Sequence, residues 1–164
     1  MKDKEFEVAA ERYADHIYAI ALNYFKNPYD AEDIVQEVLM KLYQNEKGFE
    51  NEEHLKYWLL RVAVNQCKKI SLSSRARKNI SLEEYRERVP EKEGDEFAEA
   101  SIRREEILRK VLKLPQRYRG VIHLYYYEDY DTKQIAEILH LKEGTVRTRL
   151  ARGRKILKEV LSDV

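Results

Sequence analysis

The chain has 164 residues, 37% charged and 43% apolar, and its 31 Lys/Arg nearly balance 30 Asp/Glu for a net charge of +1. That composition suits a mostly helical globular protein, and without a run of about 18 apolar residues it excludes a membrane-spanning helix. The single cysteine, Cys67, excludes an internal disulfide and fits a reducing cytoplasm, as does the lack of an apolar signal-peptide core at the start.

The first part, residues 5–72, reads as three helices. Phe6, Ala10, Tyr13, Ile17, Ile20, Ala21 and Tyr24 form an apolar stripe that Asn27-Pro28 stops. Asp30 is a good N-cap for a second helix, continued by Ile34, Val35, Val38, Leu39 and Leu42 to about Asn45. A polar connection over 46–53 leads to a third helix with Leu55, Trp58, Leu59, Val62, Ala63 and Ile70 inward. At that spacing Trp58 reads as core.

Residues 73–100 have no sustained apolar period. They contain Pro90, Gly94 and most of the acidic excess, with eight acids against three bases over 83–99. This stretch reads as a linker. Basic blocks flank it: 68–78 holds five Lys/Arg and no acid, and 142–158 holds seven against one acid, Glu143. Such segregation in a nearly neutral chain implies that each block is used separately.

Residues 101–164 read as four helices. Ile102, Ile107, Leu108, Val111, Leu112 and Leu114 lead to Pro115, and 116–127 follows with Val121, Ile122, Leu124 and Tyr125. The tyrosines Tyr125, Tyr126, Tyr127 and Tyr130 read as core and rim, because Glu128, Asp129 and Asp131 beside them would repel phosphate. The chain then closes on its most informative segment, 131–158. Ile135, Ala136, Ile138 and Leu139 make a short helix, residues 140–142 a turn, and the next helix carries Val146, Leu150, Gly153, Leu157 and Leu161 on one side. Thr145, Thr148, Ala151, Arg152 and Lys155 fall on the other side, with Arg147, Arg149 and Arg154 at the flanks. This is the pattern of a helix-turn-helix whose second helix enters a major groove.

The run 131–139 followed by EGTVRTRLARGR over 143–154 resembles region 4 of bacterial sigma factors. LPQRYR over 114–119 matches the lead-in to that region, DAEDIVQEV over 30–38 resembles region 2.2, and WLLRVAVN over 58–65 resembles the promoter-melting part of region 2. Three motifs in order, with no intervening sigma domain, resemble the extracytoplasmic-function (ECF) group. The resemblance implies an all-α protein of two small helical domains joined by an acidic linker: 5–72 for polymerase binding, −10 recognition and melting, and 101–164 for −35 recognition. It implies a non-enzymatic, cytoplasmic subunit with no cofactor. Its partners would be the RNA polymerase core enzyme, promoter DNA (duplex at −35, melted at −10) and an anti-sigma factor, without membrane insertion.

The chemistry of the residues agrees with those roles. Arg147, Thr148 and Arg152 are the candidates for base edges, arginine being able to donate two hydrogen bonds to guanine, and Arg149, Arg154 and Lys155 are candidates for phosphates. On the third helix, Asn65 offers an amide for an unpaired base, and Arg61, Lys68 and Lys69 a basic track. The resemblance assigns Asp33, Gln36, Glu37 and Met40 on the second helix to the polymerase. It also suggests that the acids of 83–99 mimic RNA in a basic channel. A 28-residue linker spans about 30 Å as a coil and up to about 100 Å extended, enough to bridge two promoter elements. The competing readings are a stand-alone helix-turn-helix regulator with a helical sensing domain, and a metal-dependent nuclease using Asp30, Glu32, Asp33 and Glu37. The latter has poor metal geometry and no histidine, and no triad arrangement occurs.

Overall fold

The computed structural model describes residues 1–71 and 109–162, and among them every regular element is an α-helix. The chain divides into two compact units, Met1–Asn79 and Ile80–Val164. The acidic run 83–99, the rest of the expected linker and the beginning of the helix expected from 101 lie outside the described residues.

In the first unit, α1 (Asp3–Phe25), α2 (Pro28–Gln44) and α3 (Glu52–Ser71) pack pairwise. Ile17, Ile20 and Ala21 of α1, Ile34, Val38 and Leu42 of α2, and Leu59, Leu60, Ala63 and Val64 of α3 are essentially removed from water, each large side chain worth about 1.5–3 kcal/mol of transfer. Cys67 belongs to this core. Burial, with Glu37 nearby, pushes its thiol well above the usual range, so it packs as an apolar residue and is not a nucleophile.

The start of α2 differs from the sequence expectation. Its cap is Asn27, whose Oδ1 accepts from the Tyr29 and Asp30 amides at 2.9 and 3.3 Å. Pro28 occupies the first helical position, where its missing N–H costs nothing. Asp30 therefore lies inside the first turn and is buried. The α1 helix ends at Lys26 in the left-handed conformation, φ 50°.

In the second unit a helical turn at 109–112 precedes α4 (Gln116–Tyr126), α5 (Thr132–Leu139) and α6 (Glu143–Ser162). Arg119 is buried and donates from Nη1 to the carbonyls of Leu114 (3.2 Å) and Leu112 (3.5 Å), which closes the chain reversal at Pro115. His123 and Glu128, both buried, pair at 3.6 Å at the end of α4. A capping box starts α5: Asp131 accepts from the Gln134 amide (2.8 Å) and Gln134 accepts from the Asp131 amide (3.1 Å). His140, at φ 57°, ends α5, and the Leu141 amide returns to the Ala136 carbonyl at 2.9 Å.

Ile135, Ile138, Val146 and Leu150 carry the helix-turn-helix core against Val121, Ile122 and Leu124 of α4. Gly153 lets α6 approach α4 closely, since a Cβ there would stand 3.2 Å from Ile122 and 3.4 Å from Tyr118. Of the core and rim places expected for the tyrosines, the rim is the one they take. Tyr125, Tyr126 and Tyr127 are exposed, and only Tyr130 is half-buried, because the core-facing arc of α4 is taken by Val121, Ile122 and Leu124.

Candidate nucleic-acid interface

The polar arc of α6 is the surface that its buried stripe leaves outward. Val146, Leu150 and Gly153 point inward. Opposite them Thr148, Arg152 and Lys155 are exposed, while Thr145 and Arg149 are half-buried. Arg117 and Tyr118 of α4, Lys142 of the turn, and Gly144, Thr145, Thr148, Arg149 and Arg152 of α6 line a groove of about 580 Å³. Four cations, Arg117, Lys142, Arg149 and Arg152, thus converge beside two threonines at the start of a helix whose dipole also favours an anion. The Arg117 guanidinium lies 4.7 Å from the Tyr118 ring centre. Its hydrogen bond, assisted by Arg152, holds the Tyr118 phenol below its usual range.

The six residues expected to meet the −35 duplex fall into three groups. Thr148, Arg149 and Arg152 line the groove together, with the Thr148 hydroxyl donating to the Gly144 carbonyl at 3.0 Å. Its oxygen lone pairs and methyl are what it can still offer a base. Arg147 sits on one flank, 3.2 Å from Glu143, and its side chain is 62% exposed. Arg154 is drawn over the rings of Tyr125 and Tyr126, at 5.2 and 5.7 Å, and so is committed to α4, away from the groove. Lys155 is exposed and lies outside the groove lining.

Sequence reasoning did not single out Arg117, Tyr118 or Lys142 as site residues. Lys142 was legible as part of the basic block, but Arg117 enters the groove only through the crossing of α4 with α6.

In the first unit, α3 presents Arg61, Asn65 and Lys69 outward at helical spacing, with Lys68 half-buried beside them. The connection before α3 is well tied. Asn51 Oδ1 caps the helix by accepting from the His54 amide (2.8 Å), and His54 Nδ1 accepts from the Glu50 amide (3.1 Å). Phe49 is held edge-on between His54 and Trp58, with centroid separations of 5.4 and 5.5 Å. Trp58 is half-buried under Phe49, so it is less deeply core than its spacing suggests. Glu52, in the first turn of α3, is anchored to α1: Tyr13 Oη donates to Glu52 Oε2 (2.7 Å) and Arg12 Nη1 lies 3.0 Å from the same oxygen. The hydrogen bond from Tyr13, with Arg12 behind it, holds this carboxyl below the usual range against the opposing effect of desolvation.

On α2, Asp33, Gln36 and Met40 are exposed along one face, Met40 by 62%. Glu37 is half-buried and turns toward α3, where the Gln66 amide, oriented with its nitrogen toward Glu37, donates to Oε2 at 3.0 Å and accepts from Lys41. The four residues assigned to polymerase thus share a face, but one also serves the α2–α3 contact. Among the described residues no helix is long and apolar enough to cross a membrane.

Comparison with known proteins agrees with this geometry. Residues 9–78 match the family model for sigma-70 region 2, and residues 104–157 match that for sigma-70, region 4. The chain is similar to the ECF RNA polymerase sigma factor SigW of Bacillus subtilis, 34% identical over 161 residues, covering 93% of this chain and 86% of that one. It is also similar to the RNA polymerase sigma factor SigV of the same organism, 30% identical over 142 residues, with 86% and 81% covered. The fold is shared with the sigma factor RpoE solved with the anti-sigma factor NepR from Bartonella quintana (TM-score 0.66, 21% identity, 97% and 98% covered). CnrH, solved with the cytosolic domain of CnrY, also shares it (TM-score 0.63, 19% identity, 99% and 90% covered). With both sigma-70 regions matched in order, and curated relatives aligned along more than four fifths of their length, the chain belongs to the extracytoplasmic-function family of RNA polymerase sigma factors and serves promoter-directed transcription.

Proposed function

We propose that the two units divide promoter recognition between them. Residues 101–164 read the −35 duplex through α6, and residues 5–72 bind polymerase through the α2 face and receive the −10 strand along α3, with 73–100 as the connection. The observation that carries this reading is the convergence of Arg117, Lys142, Arg149 and Arg152 on one groove beside Thr145 and Thr148. In this assignment Thr148 and Arg152 meet base edges, and Arg117, Lys142, Arg149 and Lys155 meet phosphates, which position the helix without specifying sequence. Arg147 reads from the flank, and Arg154 supports α4 more than it touches DNA.

On α3, Arg61, Lys68 and Lys69 track the backbone of the opened strand, and Asn65 meets a base. The protein carries out no chemistry of its own and works in the cytoplasm. The partner NepR in the structure of RpoE supports a further expectation, that an anti-sigma protein regulates this chain as well.

The test is reconstitution with core polymerase and run-off transcription from a promoter library. Arg152→Ala is expected to relax the requirement at one −35 position by about 1–3 kcal/mol. An equal loss on every promoter variant would reassign Arg152 to phosphate. With three to five phosphates neutralised, log affinity should fall against log salt with a slope of about −3 to −5. Tight, sequence-specific binding of the free protein to duplex DNA, independent of polymerase, would favour the stand-alone regulator instead.

A further inference from the structure

Among the seven cations of residues 142–158 stands one carboxylate, Glu143, at the mouth of a surface that should attract phosphates. Its surroundings give it a role. Glu143 Oε1 accepts from the Thr132 hydroxyl at 2.9 Å and lies 3.2 Å from Arg147 Nη1. Thr132 opens α5 and Glu143 opens α6, so the carboxylate is fixed from the neighbouring helix as well as from its own. Arg147, one turn on, keeps its head at the surface.

We propose that Glu143 is a positioning residue for base reading: it orients the Arg147 guanidinium so that its open edge meets a guanine. The inference rests on the reading of α6 as the duplex reader. A guanidinium is planar and carries five N–H donors in a fixed fork. A carboxylate on one edge leaves the other edge free to donate two parallel hydrogen bonds to guanine O6 and N7. An arginine not held in this way must give up much of its rotamer freedom on binding. Here the Thr132 hydroxyl fixes the carboxylate, and the carboxylate fixes the arginine. Arg154, which lies on the same flank of α6, is held on tyrosine rings instead and, among the described residues, meets no such acceptor. Glu143 also lowers non-specific affinity by placing a negative charge toward phosphates, which sharpens discrimination in the same direction.

The experiment compares holoenzymes of the full chain on a library in which every −35 base pair is varied. Glu143→Ala should lose about tenfold of the preference for one guanine-containing pair, the same pair whose preference disappears in Arg147→Ala, while binding the remaining sequences more tightly. Glu143→Gln keeps an acceptor oxygen at the same reach, so it should gain affinity in the same way yet retain the preference. Thr132→Val, which removes only the hydroxyl, should lose part of it. The proposal is overturned if Arg147→Ala removes the preference while Glu143→Ala keeps it, or if Glu143→Gln loses as much as Glu143→Ala, which would make charge rather than orientation the cause. If Arg147→Ala changes no preference, Arg147 is not a base reader and the proposal falls with it. A wild-type holoenzyme indifferent to every −35 substitution would instead sink the reading of α6.

Discussion

The two helices assigned to DNA, α3 and α6, are each 20 residues long, yet order is built into them differently. On α6 the working side chains themselves are held. Arg147 leans on Glu143, Thr148 on the Gly144 carbonyl, Arg152 on Tyr118 beside Arg117 of α4, and Arg154 on two tyrosine rings. On α3 the firm part is the connection before the helix, with Phe49 clasped by His54 and Trp58, the Asn51 cap, and Glu52 tied to α1. Arg61, Asn65 and Lys69 are exposed along the helix. The difference suits the two substrates proposed for these helices. A duplex presents fixed hydrogen-bonding edges that reward preset donors. A melted strand has no fixed shape, and it is best met by an aromatic surface and a tolerant basic track.

The strongest test of this division removes a buried side chain from one unit. Ile138→Ala in α5 should cost about 2–5 kcal/mol of the second unit's stability, because Ile138 is fully buried. Trp58 is the sole tryptophan and lies in the first unit, so its fluorescence should keep the same denaturant midpoint while the helical signal by circular dichroism gains an earlier transition. A Trp58 transition that moves together with Ile138→Ala would mean the two cores unfold as one.

A smaller effect is expected from Phe49→Ala. If the clasped ring receives an unpaired base, its loss should weaken promoter opening by about 1–3 kcal/mol and leave duplex −35 binding unchanged. Permanganate footprinting of the open complex beside a duplex-binding assay separates the two. Equal loss in both assays would place Phe49 in folding rather than in strand capture.

What could be read from the chain alone follows the same division between local and distant interactions. The helix-turn-helix was legible because its signals are local: the apolar spacing of Ile135, Ala136, Ile138 and Leu139, the 140–142 turn and a single apolar stripe on α6. The cap of α2 was misplaced because Asn27 and Asp30 are both good caps three residues apart, and Pro28 decides between them through its fixed φ. The entry of Arg117 into the groove depends on α4 crossing α6, and the clasp on Phe49 and the burial of Arg119 depend on connections that fold back onto the helix that follows them. No local period encodes them. The tyrosines Tyr125, Tyr126, Tyr127 and Tyr130 read as core and rim from the acids beside them, and the rim is the part they take, because smaller aliphatic residues of α4 fill the core-facing arc.

The smallest effect tests the firmness of the connection before α3, and its sign comes from titration. The folded-state pKa of Glu52 lies below its ordinary value, so its ionised form favours the folded protein. That contribution is complete above the unfolded pKa of about 4.3 and is lost as pH falls through the lower folded value. The carboxylate side chain is 62% exposed, so solvent screening limits the effect to a few tenths of a kcal/mol and at most about 1 kcal/mol. Glu52→Gln keeps an oxygen for Tyr13 but gives up the charge that Arg12 meets. The variant should therefore unfold slightly more easily than wild type at pH 7, by an amount unchanged down to about pH 5. Below about pH 4 the two should converge, as wild-type Glu52 takes up the proton that the amide mimics. Trp58 fluorescence reports this directly, because Trp58 lies on the same helix and packs against Phe49 in the connection that Glu52 anchors. No difference between the two at pH 7 would mean that the Tyr13 hydrogen bond, which the amide keeps, supplies all that Glu52 adds to the hold of α3 on α1. The first unit would then hold its connection by shape rather than by charge, in contrast to the charge-oriented side chains of α6.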